Sequence, residues 1–148
     1  MAAIRKENWT AGEYLEFERA NGVRHEFIDG EIRMMTGGSR RHNLITGNIN
    51  ASLVYQLKGR SCESYASDMR VKIAARRYLY PDIVVACDHP EFEDGQFDTL
   101  INPTVIIEVL SPSTKDYDRN EKFAMYRARP TSRASNAIRA AVRTAHGN

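Results

Sequence analysis

The spacing of apolar residues changes several times along the chain, and each change marks an element. Thr10-Ala-Gly-Glu13 has the form of a capping box, with Tyr14, Leu15 and Phe17 behind it. That pattern predicts a short amphipathic helix ending near Asn21-Gly22. In the stretch from His25 to Met35, Asp29-Gly30 separates two short arms of alternating character. An Asp-Gly pair in that setting is a strong hairpin signal, because both positions tolerate positive φ. Gly37-Gly38 then breaks the chain, and Ser39 can cap a second helix. Leu44, Ile45, Ile49, Leu53 and Leu57 recur at helical spacing until Gly59 ends the run.

Beyond that point the period falls to two. In Asp68–Ala74, Met69, Val71 and Ile73 face one way, and Asp68, Arg70 and Lys72 face the other. Tyr80–Cys87 is apolar almost throughout, as a central strand buried on both faces would be. An acidic loop from Glu91 to Asp98 leads to a second such strand, Pro103–Leu110, which Ser111-Pro-Ser-Thr114 stops. Lys115 to about Arg127 reads as a helix with Phe123, Met125 and Tyr126 on its apolar side. The order is helix, hairpin, helix, three strands, helix. It predicts an α/β fold in which helices pack on a mixed sheet.

At 148 residues the chain is long enough for one domain with a real core. No apolar run approaches the ~18 residues of a membrane span, and the N-terminus has no signal-peptide core. Cys62 and Cys87 form no cysteine framework. Cys87, inside an apolar run, reads as a small buried residue rather than half of a disulfide. A reducing cytoplasm fits that reading. The sequence has no internal repeat, Gly-rich phosphate loop, Cys-His zinc spacing or Ser-His-Asp signature. The net charge of +2 is uninformative by itself, but its distribution is not. Lys122, Arg127, Arg129, Arg133, Arg139 and Arg143 fall in a terminal stretch with no Asp or Glu. Such a stretch could meet a phosphate backbone, or be a solvated tail.

The chemistry lies in the two apolar strands. Asp82 opens one and Glu108 interrupts the other. An unpartnered carboxylate costs several kcal/mol to bury, so a strand keeps one only with a partner. A buried salt bridge or a carboxylate capping loop amides would meet that need. Two such acids in adjacent strands also suit a divalent metal, since strands lie roughly 4.8 Å apart. Oxygen ligands favour Mg²⁺ or Mn²⁺ over zinc. A third candidate is Lys122 on the following helix. It is either a surface lysine paired with Asp118 or a cation that supports charge developing at a scissile phosphate.

These residues resemble a known family. Tyr80-Pro81-Asp82, then Ile107-Glu108-Val109-Leu110-Ser111-Pro112-Ser113-Thr114, then Asp118 and Glu121-Lys122-Phe123 to Tyr126 look like the bacterial Uma-two family of restriction endonucleases. That family lies within the PD-(D/E)xK nuclease superfamily. Arg24–Ile32 and His42 also match its pattern, and the resemblance runs from about Trp9 to Tyr126. It implies a restriction-endonuclease-like mixed sheet flanked by helices, a Mg²⁺ (or Mn²⁺) cofactor and DNA as substrate. It makes Asp82 and Glu108 metal ligands. The superfamily lysine usually follows the acid by two residues; here Leu110 stands there, so Lys122 is the expected substitute. Glu26 could approach the metal from the hairpin. His42 and Asp68 match with less defined roles. His42 could equally serve the helix N-terminus, and Asp68 the solvated face of its strand.

The resemblance divides the chain into a nuclease-like domain, residues 1–126, and a basic, divergent tail, residues 127–148. Between Arg127 and Asn148 the large aliphatic residues are Ile138 and Val142 alone. An Ala-, Arg- and Ser-rich stretch of this kind reads as a shifted reading frame, which would leave the sheet without its C-terminal edge. The alternative is a short helix from Ser135 to Ala145. The overall expectation is a cytoplasmic Mg²⁺-dependent DNA endonuclease, with homodimer formation open and activity in doubt because of the altered end. Two other classes remain: a non-catalytic nucleic-acid-binding remnant, and a metal-dependent hydrolase of small phosphoesters.

Overall fold

The computed structural model describes residues 7–110, 117–129 and 139–144; side chains are described for 7–110 and 120–129. The fold is α/β, with mixed sheets and helices against them. Helix α1 spans Ala11–Ala20. Thr10 caps it reciprocally with Glu13, as the capping box predicts. Strands β1 (His25–Ile28) and β2 (Glu31–Met34) form the hairpin. Asp29 and Gly30 have φ of 51° and 100°, the two positive values that a type I′ turn requires. At φ 100° Gly30 holds a conformation that L side chains rarely adopt, and a Cβ there would also press on the Asn8 backbone at 3.3 Å.

Helix α2 runs Arg40–Gln56, capped by Ser39, whose hydroxyl accepts from the His42 amide. The predicted apolar stripe is only partly inward: Ile45, Ile49, Leu53 and Leu57 are half-buried, whereas Leu44 is 49% exposed. The next strands are β3 (Cys62–Ala66), β4 (Arg70–Ala74), β5 (Arg77–Leu79), β6 (Ile83–Cys87), β7 (Thr99–Leu100) and β8 (Val105–Leu110). A π-helical segment, Tyr117–Lys122, continues into α3 (Phe123–Arg127). Strand β9, Arg139–Thr144, closes the described chain.

The strands form two sheets rather than one. Their orders are β2-β1-β5-β4-β7 and β3-β6-β8-β9. Each is antiparallel except for one parallel edge pair, β4 with β7 and β8 with β9. The main core joins them. Val71, Ile73 and Leu79 of the first sheet meet Val84, Ala86 and Ile106 of the second, under Met125 and Tyr126 of α3. A second cluster packs Tyr14 of α1 on Phe27, Ile32 and Tyr78.

Three expectations need correction. The expected open edge beside β8 carries β9, with Val105 to Leu110 in register with Arg139 to Thr144. Residues 139–144 are therefore strand and not part of a helix from Ser135 to Ala145. Cys87 is half of a disulfide: it lies opposite Cys62 in the β3–β6 ladder, Cα to Cα 4.0 Å, and the two sulfurs are bonded. Apolar neighbours along the chain hid a partner across it, and the argument for a reducing compartment goes with them. Arg70, expected on a solvated face, is buried. It holds Thr99 and Tyr80 by hydrogen bonds and Asp98 by an ion pair. The stop at Ser111–Thr114 lies outside the described residues.

Candidate active site

Strand pairing brings the two predicted acids together. Ile83 of β6 faces Ile107 of β8, so the next step of the ladder sets Asp82 beside Glu108. Each carboxylate reaches across to a backbone amide of the other's segment. The Val109 amide donates to Asp82 Oδ2 at 2.7 Å, and the Asp82 amide donates to Glu108 Oε2 at 3.3 Å. Glu108 is buried, whereas the Asp82 side chain is 18% exposed.

Lys122 is not a surface lysine. It is 3% exposed, with Nζ 3.0 Å from Glu108 Oε1 and 2.9 Å from Glu26 Oε1, and it donates to the Tyr80 carbonyl at 3.4 Å. The side chain of its expected surface partner, Asp118, lies outside the described residues. Glu26, fully buried on β1, also accepts from the Tyr80 amide at 3.1 Å. The hairpin thus delivers a third carboxylate to the same place. One turn beyond Lys122, Tyr126 donates to Glu108 Oε1 at 2.6 Å. Burial pushes the Tyr126 phenol well above its ordinary range, and the Glu108 charge pushes it the same way. It therefore stays a neutral donor.

His42 arrives from α2. Its ring Nε2 lies 3.2 Å from Asp82 Oδ2, while Nδ1 is buried without a hydrogen-bond partner. The residue so serves both the helix start, through its amide, and the site, through its ring. Gly38 makes room for it: a Cβ there would fall 2.7 Å from Nδ1. Asp68 stays apart. Its side chain is 84% exposed and pairs with Arg24 at 3.3 Å. Five of the six candidate residues thus converge, and Asp68 does not.

Sequence reasoning missed two contributors. Tyr126 reads as part of an apolar face, although its i, i+4 spacing from Lys122 puts both on one side of a helix. The Tyr80 backbone joins the site to a buried polar network on its other side. There the Tyr80 hydroxyl donates to Glu18 Oε1 at 2.8 Å, and Glu18 Oε2 holds His25 Nδ1 at 2.9 Å. Glu18 could have been found, because it falls one turn after Tyr14 on the face of α1 that packs inward.

The donor set suits a hard cation of modest demands. Among the described residues no group of three or more His, Cys, Asp and Glu side chains is arranged to enclose a metal. Mg²⁺ needs no such cage, since it retains several waters and takes one or two carboxylates. Asp82, with Glu108 behind it and its own side chain open to solvent, fits that role.

Comparison with known proteins gives a consistent picture. The family model Uma2, described as "Putative restriction endonuclease", matches residues 11–133. Two proteins of Synechocystis are similar: sll1609, 41% identical over 122 residues, and slr1290, 39% identical over 119 residues. The alignments take in 82% and 80% of this chain but 69% and 62% of those proteins. A crystal structure from Anabaena variabilis, described as a "putative nuclease belonging to DUF820", superposes with a TM-score of 0.63 at 19% identity. It covers 78% of this chain and 66% of that one, and at this identity it speaks for the fold.

Proposed function

Because the chain belongs to the Uma2 family, we propose that it hydrolyses phosphodiester bonds in DNA with Mg²⁺ or Mn²⁺ held by Asp82 and Glu108. The observation that carries the reading is the buried Lys122 ammonium, held against Glu108 and Glu26 at the mouth where Asp82 meets solvent. A protein that wanted only a stable core would gain little from this arrangement. Replacing a buried ion pair by apolar residues is often neutral or stabilising.

A cation at this place would neutralise charge on the phosphate and ease deprotonation of the attacking water. The chain's own groups would do the rest. Asp82 presents an oxygen to solvent while the Val109 amide fixes its orientation. Glu108 accepts from Lys122 and Tyr126 at Oε1 and from the Asp82 amide at Oε2, which fixes its orientation. Lys122 supports negative charge that develops on the phosphate in the transition state. Glu26 keeps the ammonium aimed, since it is bonded both to Lys122 and to the Tyr80 backbone. His42, beside Asp82, is placed to hold or pass a proton at Nε2.

The test is cleavage of supercoiled and linear DNA in Mg²⁺ and in Mn²⁺ by the chain and by Asp82→Asn and Glu108→Gln. Cleavage lost in both folded variants is the expected result. Cutting at the original rate in either variant removes the pair from the mechanism. Turnover of a chromogenic phosphodiester with none of DNA would select the small-substrate hydrolase. Salt-sensitive DNA binding without cutting would select the binding remnant.

A further inference from the structure

Tyr80-Pro81-Asp82 carries the chain from one sheet to the other: β5 ends at Leu79 in the first, and β6 begins at Ile83 in the second. Tyr80 lies outside both ladders, and side chains take up its backbone groups instead. Those side chains belong to the candidate site. The Tyr80 amide donates to Glu26 Oε1 at 3.1 Å, and Lys122 Nζ donates to the Tyr80 carbonyl at 3.4 Å. Nζ also lies 2.9 Å from the same Glu26 oxygen, which closes a triangle. Pro81 locks one torsion of the crossing and restricts Tyr80 to extended backbone, so little of a displacement at Tyr80 can be absorbed locally.

The Tyr80 phenol is gripped from two directions. Its hydroxyl donates to Glu18 Oε1 at 2.8 Å and accepts from Arg70 Nη1 at 3.0 Å. Arg70 is anchored in turn by Thr99 and Asp98. Glu18 also accepts from the His25 amide at 2.8 Å, and Tyr14, one turn earlier on α1, donates to the His25 carbonyl at 2.6 Å. His25 immediately precedes Glu26. One face of α1 thus fixes both ends of the contact between Glu26 and Tyr80, the first through the backbone of its neighbour and the second through its phenol. Glu18, His25, Arg70 and Tyr80 are all buried. Burial pushes the Tyr80 phenol well above its ordinary range, against the Arg70 charge, so the hydroxyl keeps its proton and serves both partners. Phenylalanine would fill the same space, so packing alone does not call for the hydroxyl.

We propose that Tyr80 and Glu18 are positioning residues: their hydrogen bond holds the Tyr80 peptide in the place that keeps Lys122 aimed at the Asp82–Glu108 pair. This rests on the nuclease reading and extends it to groups that touch neither substrate nor metal. Without the hydroxyl bond the peptide can rock about the crossing, and Lys122 shifts with the carbonyl and the carboxylate that hold it. Asp82 and Glu108 keep their own amide donors, so the demand for metal should not change.

The test compares the chain with Y80F, E18A and E18Q, each shown by circular dichroism to be folded at the assay temperature. Gln keeps the acceptor for Tyr80 and the His25 amide, and its nitrogen can donate to His25 Nδ1, so E18Q removes the charge and leaves the brace. In Mg²⁺, kcat for cleavage of a labelled duplex should fall between about tenfold and about a hundredfold in Y80F and E18A, the scale of a misplacement of up to ~1 Å. KM for DNA and the Mg²⁺ concentration at half-maximal rate should stay unchanged, as befits support given in the transition state. E18Q should restore most of the parent kcat. Amide hydrogen exchange without metal or DNA gives a second readout. Relative to the amides of β6, the amide at position 80 should exchange about tenfold faster in Y80F and E18A than in the parent. A fold that is merely destabilised would speed both alike. The Glu18 pair carries the test alone if Y80F does not fold. A loss of kcat in E18Q equal to that in E18A overturns the proposal, as does exchange at position 80 that only follows β6. A parent that cuts no DNA removes the nuclease reading, and the proposal falls with it. A parent that cuts while folded Y80F and E18A match its kcat removes the brace alone.

Discussion

Replacing Lys122 by Met removes a charge but little volume, so the result reports on electrostatics rather than on a cavity. Lys122 Nζ lies 2.9 Å from Glu26 and 3.0 Å from Glu108, with all three groups buried. At ~3 Å and an effective dielectric of ~20, each pair is worth about 5 kcal/mol of attraction. Desolvation of the three ions offsets most of that, at several kcal/mol each. The balance changes when one member leaves, because two carboxylates then share a dry site without their cation. The expected loss is about 3–5 kcal/mol of stability. For a chain of this size that corresponds to a fall in Tm of roughly 10 °C. Chemical denaturation of the chain, K122M, E26Q and K122M/E26Q closes a double-mutant cycle. The coupling between positions 26 and 122 should be about 1–3 kcal/mol. If K122M unfolds within about 1 kcal/mol of the parent, or the cycle shows no coupling, the three charges do not depend on one another as described.

Three further outcomes follow from other parts of the molecule. The hydrogen bond from Arg19 to Asp98, helped by the Arg70 charge and outweighing the upward push of burial, holds the Asp98 carboxyl well below the usual carboxylate range. A depressed folded-state pKa gives stability that is present above about pH 4 and lost as pH falls below it. Urea midpoints from pH 6 to pH 2 should therefore drop less steeply in Asp98→Asn than in the parent; parallel curves would exclude Asp98 as a source of the acid limb. The Cys62–Cys87 bond closes a 25-residue separation, so the C62S/C87S variant should lose about 3.5 kcal/mol by the chain-entropy relation; an unchanged denaturation midpoint under oxidising conditions would refute this. Gly38→Ala would place a Cβ on His42 Nδ1, so DNA cleavage should fall about tenfold with Tm held to within a few degrees, as about 1.4 kcal/mol of lost transition-state support implies. Full activity in that variant would show that the position of the imidazole does not matter.

The parts of the fold that are legible in the sequence are those where local chemistry and tertiary context agree. The capping box at Thr10, the Asp29-Gly30 turn and the apolar strands around Val84 and Ile106 each carry their own signal. Strand β3 does not: Cys62-Glu-Ser-Tyr-Ala66 is only partly buried, and its identity comes from pairing with β6. The same ladder creates the disulfide, which no spacing along the chain announces. Strand β9 is obscured by an Ala- and Arg-rich composition, and its pairing partner supplies the regularity. For the site, two acids in apolar strands are readable because burial makes them expensive. The inward turn of Lys122 is not, because a lysine on a short helix has the same local signature whether it faces water or three buried oxygens.

The seam between the two sheets has a consequence for how the molecule breathes. Glu26 belongs to the sheet of the hairpin, whereas Asp82 and Glu108 belong to the other, and Lys122 bridges them from outside both. No single cooperative unit owns the site. Any partial opening that lifts one sheet from the other dissolves the constellation before either sheet melts. A ligand that engages the whole constellation would therefore act as a clasp across the seam. It would slow amide exchange in both sheets at once, and by linkage would raise the free energy of that particular opening in step with its own affinity.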